Sequence, residues 1–209
     1  MLNSYLPKNI FVAGPAGKLE TTLAELDSKN RKGIAVIAHP HPLYGGSMDN
    51  KVVHTLFKAL YELGFTVIKF NFRGVGNSEG VFDRGAGEVE DVVSVVKELR
   101  KQFDIQCSLP LLLAGFSFGG AVQAHVAQSL KPQTLVLVAP SVEQFNAPAI
   151  STVSDKSLII HGDQDEVVLL KTILSWATPQ NLPVLVIPGA EHFFHGKLHI
   201  LKRVILDSC

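Results

Sequence analysis

Short apolar runs alternate with amphipathic segments along the chain. Ile34–Ala38 reads IAVIA and is apolar at every position, as a central strand covered on both faces requires. Ile10–Ala13 and Leu19–Leu26 read as two strands around the turn Gly14-Pro15-Ala16-Gly17. Further strands are expected at Phe65–Phe70, Leu109–Ala114, Thr134–Val138, Lys156–Ile160 and Pro183–Ile187. Between them, Asn50–Leu63 repeats Val53, Leu56, Leu60 and Leu63 at helical spacing, with Gly64 as a stop. Glu88–Lys101 does the same with Val89, Val92, Val96 and Leu99, and Ser117–Leu130, Val168–Ala177 and His195–Leu206 complete the helices. The alternation predicts βαβ units and a mostly parallel sheet with helices on both faces. The first two strands have no helix between them and predict an antiparallel edge.

Composition narrows the class. A chain of 209 residues fits one domain spanning 1–209, and 46% hydrophobic against 18% charged residues indicates a globular core rather than disorder. Lys plus Arg equals Asp plus Glu at 19 each, so no basic footprint for nucleic acid or anionic lipid is expected. The N-terminus lacks a signal-peptide pattern, and no apolar run approaches the ~18 residues that span a bilayer. Cys107 and Cys209 are too few for a disulfide framework, so two reduced thiols in a cytoplasmic protein are expected.

The chemistry begins at Gly115-Phe116-Ser117-Phe118-Gly119, a G-x-S-x-G stretch between a predicted strand and a predicted helix. In that context the chain turns sharply and leaves the serine Oγ exposed above the sheet. Gly115 and Gly119 are needed because a Cβ at either position would collide with the turn. The following helix aims its N-terminal amides and positive dipole end at any developing oxyanion.

A serine hydroxyl needs a base, and the base needs a partner that fixes its tautomer. Two downstream strands end in suitable residues: the first runs into His161-Gly162-Asp163-Gln164-Asp165, the second into Pro188-Gly189-Ala190-Glu191-His192. Both ends should meet Ser117 at the carboxyl edge of the sheet. His192 is the expected base; His195 and His199 are near competitors that fall inside the predicted last helix. Asp163 and Asp165 compete for the acid, and spacing does not decide between them.

An oxyanion hole requires two backbone N–H groups. One should be that of Phe118. The other should come from the loop His39–Ser47 after the central strand. Pro40 and Pro42 have no N–H, which leaves His41 first, Leu43 second, and Tyr44 as a further donor. His39 is expected to be a packing residue.

Together these motifs resemble the α/β-hydrolase superfamily, in its small, cap-poor branch related to dienelactone hydrolases and carboxylesterases. The resemblance runs from about Ile34 to the C-terminus and rests on HPHPLYGGSMDNK, NFRGVGNSEG, GFSFGG, and the pair HGDQDEVV with GAEHFF. It implies the α/β-hydrolase fold and Asp165 as the acid. It assigns Arg73–Gly80 a structural role, with Asn71 standing where related enzymes carry an Asp. The short stretch from Val138 to Leu158 leaves no room for the cap domain that larger relatives insert, so an open site is expected. The implied reaction is hydrolysis of a small-molecule ester, thioester or lactone through an acyl-enzyme on Ser117, with no cofactor, metal, nucleic-acid or membrane partner.

Three other readings compete. His192, His195 and His199 are spaced like metal ligands, but H-E-x-x-H is absent. A hydrolase fold can persist in a binding protein that has lost turnover. Gly74, Gly76 and Gly80 suggest a nucleotide loop, yet neither G-x-x-x-x-G-K-[ST] nor G-x-G-x-x-G is present.

Overall fold

The computed structural model describes residues 6–154 and 156–209. Among these residues, eight strands form a single sheet in the order β1-β2-β4-β3-β5-β6-β7-β8. They are β1 (Lys8–Gly14), β2 (Gly17–Ala24), β3 (Gly33–Ala38), β4 (Phe65–Phe70), β5 (Leu111–Phe116), β6 (Thr134–Val138), β7 (Lys156–Gly162) and β8 (Val184–Ile187). β1 pairs antiparallel with β2 and β2 antiparallel with β4; every other pairing is parallel. This is the α/β-hydrolase fold with the expected antiparallel N-terminal edge.

Five α-helices among the described residues cover the sheet: α1 (Lys51–Glu62), α2 (Ala86–Phe103), α3 (Phe118–Leu130), α4 (Leu170–Ala177) and α5 (Leu198–Ser208). Because side chains alternate across a strand, each central strand feeds two cores. Ile34, Val36, Leu111 and Leu113 pack on the face with α2, α3 and α4. Ala35, Ile37, Leu112 and Phe116 pack on the face with α1 and α5. Leu113 is fully buried, and its truncation to alanine should cost about 2–5 kcal/mol.

Several boundaries differ from the periodic pattern for local reasons. β2 stops at Ala24 because the amide of Leu26 turns to Thr66 Oγ1 rather than to a ladder partner. β5 starts at Leu111, since Leu109 donates its amide to Asp104 Oδ2, and runs on through Gly115 and Phe116, which pair with Leu137 and Val138. β7 runs on through His161 and Gly162, which pair with Val186 and Ile187. α5 begins at Leu198, not His195, because left-handed residues at Phe194 and Gly196 (φ 56° and 68°) break the helical path. His195 therefore lies in a turn.

The connection from β6 to β7 contains no helix among the described residues. No helix among them is long and apolar enough to cross a membrane. The Arg73–Gly80 loop is pinned from beneath: Arg73 donates through its amide, Nε and Nη2 to the buried carboxylate of Asp91 on α2. Asn71 accepts the Met48 amide and donates to Glu20, so it ties the first strands to the loop after β3.

Candidate active site

Ser117 sits between β5 and α3 with φ 54° and ψ −119°, a left-handed conformation that strains a residue with a side chain. The close approach of three backbones holds it there. A Cβ at Gly115 would run into the carbonyl of Gly119, and one at Gly119 into the carbonyl of Ala38. The amide of Ser117 donates to the Val138 carbonyl at 2.9 Å, and its carbonyl accepts the Ser141 amide at 3.1 Å. The hydroxyl is thereby lifted to the carboxyl edge of the sheet.

His192 comes from the loop after β8 and Asp165 from the loop after β7. His192 Nε2 lies 3.0 Å from Ser117 Oγ, and its Nδ1 lies 2.7 Å from Asp165 Oδ2. The other carboxylate oxygen of Asp165 accepts the amides of Val167 and Val168 at 2.9 and 2.8 Å. Burial works to raise the Asp165 pKa, but the hydrogen bond from His192, the Val168 amide and the neighbouring imidazoles outweigh it. The group stays below the usual carboxylate range. An ionised Asp165 facing Nδ1 fixes the proton on that nitrogen and leaves Nε2 as an acceptor for the serine proton.

Asp163 does something else. Its Oδ1 accepts the amide of Gly189 at 2.6 Å, and the Gln164 amide donates to the Ala190 carbonyl. These bonds tie the acid loop to the histidine loop from outside. His161, at the end of β7, is fully buried behind the acid, with Nε2 2.8 Å from the Val168 carbonyl. Burial holds its pKa down. It supports the loop that presents Asp165, a role its position in the H-G-x-x-D stretch does not reveal.

The loop after β3 resolves the amide candidates. Leu43 donates its amide to His41 Nδ1 at 3.1 Å, and Tyr44 donates to the His41 carbonyl. The expectation that Leu43 could supply the second oxyanion amide is therefore corrected: that N–H is spent within its own short 3-10 turn. The amide of Phe118, first residue of α3, has no intrahelical acceptor. His41 and Phe118 touch through their rings, with centroids 5.1 Å apart. His39 is a packing residue: fully buried, with Nδ1 2.6 Å from the Pro40 carbonyl and Nε2 accepting the Phe72 amide at 3.0 Å.

The remaining histidines do not converge. His195 pairs with Glu191 at 3.0 Å on the surface, His199 is exposed on α5, and both ring nitrogens of His192 are occupied. No group of three metal-ligating side chains occurs among the described residues. Ser117 and His192 instead open onto a cavity of about 380 Å³, walled by Tyr44, Val167 and Phe193 and by the glycines after His41.

The profile of the family described as serine aminopeptidase, S33, matches residues 30–156. The chain belongs to this family of α/β-hydrolases. A serine hydrolase homologue from Coxiella burnetii is 40% identical and superposes with a TM-score of 0.88, covering 96% of each chain. A lidless α/β serine hydrolase from Xanthomonas campestris is 35% identical, with a TM-score of 0.89 over 100% of this chain and 95% of that one. A protein of Rickettsia prowazekii (strain Madrid E) is 34% identical over 95% of this chain and 87% of its own length. This serine hydrolase therefore shares its fold with a relative described as lidless.

One hydroxyl beside Ser117 has no sequence signal. Ser141, just after β6, is buried, and its Oγ lies 3.2 Å from Ser117 Oγ.

Proposed function

We propose that the protein hydrolyses carboxylic esters, thioesters or lactones of small apolar acyl groups through an acyl-enzyme on Ser117. The observation that carries this reading is the unbroken line Asp165–His192–Ser117 ending at an apolar-walled cavity. Ser117 Oγ attacks the carbonyl carbon as its proton passes to His192 Nε2, and Asp165 stabilises the imidazolium formed. The amides of Phe118 and His41 hold the oxyanion, aided by the positive end of α3. His192 then protonates the leaving group, and water repeats the sequence to release the acid.

The choice of ester over peptide rests on the cavity. None of the residues lining it beside Ser117 and His192 carries a carboxylate that would hold the ammonium of a peptide N-terminus. Tyr44 and Val167 are largely exposed and present apolar surface at its mouth. A panel of short-chain esters, thioesters, lactones and aminoacyl amides, assayed with the wild type and Ser117→Ala, tests the reading. Turnover of an ester, thioester or lactone that Ser117→Ala lacks is expected. Preferential cleavage of the amides would move the assignment to a peptidase, and absence of turnover on the whole panel would favour a binding role.

A further inference from the structure

We infer that Ser141 is a positioning residue for the nucleophile: its hydroxyl donates to Ser117 Oγ and so turns the serine's own proton towards His192. The inference rests on Ser117 being the nucleophile, and it follows from counting protons along the line of groups. Asp165 faces His192 Nδ1 at 2.7 Å, so the imidazole proton lies on Nδ1. Nε2 is then an acceptor, and the partner 3.0 Å away, Ser117 Oγ, must donate its single proton there. With that proton committed, the contact of 3.2 Å between the two serine oxygens can be made only by the proton of Ser141.

The hydroxyl is placed by backbone, not by chance rotation of a surface side chain. The Ser141 amide donates to the Ser117 carbonyl, its own carbonyl accepts the Phe145 amide at 3.3 Å, and the Ala139 amide donates to the Ile160 carbonyl. A Cβ on Gly120 would come within 2.9 Å of Pro140, so the chain after β6 lies directly on the first turn of α3. Ala139 adopts φ 42° to bring this about.

The consequence is chemical. As Oγ–carbon bond formation begins and the Ser117 proton moves to Nε2, the oxygen gains charge before the new bond is complete. A hydrogen bond from Ser141 strengthens over that interval, because bonds to charged acceptors are stronger than bonds to neutral ones. When the acyl-enzyme breaks down, Ser117 Oγ leaves the carbon and takes back a proton from His192; the same donor stabilises it again. Ser141 keeps its proton throughout and exchanges nothing with the substrate. The group therefore acts on the rate of both chemical steps and not on substrate binding.

The test is the rate of covalent labelling by an alkyl fluorophosphonate, in which the Ser117 Oγ–P bond forms, fluoride leaves and His192 takes the proton, together with kcat and KM on the best ester. Ser141→Ala is expected to label and turn over roughly ten- to hundredfold more slowly, with KM within about twofold of wild type. Ser141→Thr, which keeps the hydroxyl at a position lining a cavity of about 180 Å³, should recover most of that loss. Labelling of Ser141→Ala within twofold of wild type would overturn the inference. So would an equal loss in Ser141→Thr and Ser141→Ala when both melt like the wild type, since packing would then be the cause. Should either variant fail to fold, labelling of folded Ser141→Cys decides, with a loss resembling alanine's expected of its weak thiol donor. A Cys variant as fast as wild type would overturn the inference. Ser117→Ala serves as the separate control: if it labels like the wild type, the nucleophile assignment itself has failed.

Discussion

Asp165 Oδ2 lies 2.7 Å from His192 Nδ1, while Asp163, two residues earlier, turns its carboxylate onto the amide of Gly189. The two acids have separate work, and substitution should separate them. Asp165→Asn can offer an N–H to Nδ1, which forces the proton onto Nε2 and removes the base. A loss of ~10⁴ in kcat is expected. Asp163→Asn keeps an oxygen for Gly189 and should stay within a few-fold of wild type; steady-state kinetics of the pair checks both.

Ser117→Ala should fold and lose up to ~10⁶ in turnover. Ser117→Gly should do more. The left-handed backbone at Ser117 (φ 54°) is strained for a side chain and free for glycine, so the inactive glycine variant should be more stable by about 1 kcal/mol. A urea midpoint at or below that of the wild type would argue against stored strain.

Stability should fall on mild acidification because of His39. Burial, opposed by the Pro40 carbonyl, lowers its pKa to about 4 in the folded chain. An unfolded histidine titrates near ~6.5. Between these values the unfolded state holds a proton that the folded state lacks, so stability declines as pH drops from about 6.5 to about 4 and is flat with respect to this group outside that window. The full effect is about 3 kcal/mol. Buried His161 shifts in the same direction and adds to the slope. Asp165, whose pKa is depressed, contributes stability that is lost only below about 3.9, the unfolded carboxylate value, so its window is separate. Urea unfolding across this range should show a shallower slope for His39→Gln than for the wild type.

Asp91→Ala should destabilise the fold by about 3 kcal/mol, since it leaves the buried Arg73 guanidinium with only the exposed carboxylate of Glu90, 3.4 Å away, in place of its buried partner. The paired substitution Arg73→Met with Asp91→Leu should recover much of the loss. Thermal melting of the single and double variants distinguishes a poorly compensated buried charge from lost packing.

Much of this was legible in the chain. Alternation of apolar runs and helical repeats gave the βαβ order and both faces of the sheet, because burial on two sides leaves strands such as IAVIA without polar positions. The elbow was legible because three backbones crowd at Gly115 and Gly119, where only glycine fits. Other features depend on distances across the fold. Asp163 and Asp165 are both plausible by spacing, and only the path of the chain after Gly162 separates them. The Leu43 amide looked available until its loop folded it onto His41. Ser141 meets Ser117 through β6 and the turn after it, a contact between residues with no shared motif.

The lack of a helix among the described residues between β6 and β7 has a kinetic meaning. An enzyme that closes a lid over its substrate must open it again, and that motion often sets the turnover number. Among the described residues that connection carries no helix to stand over the cavity walled by Tyr44 and Phe193. Bond making and breaking, rather than product escape, should set the pace, and added sucrose or glycerol viscosity should leave kcat unchanged.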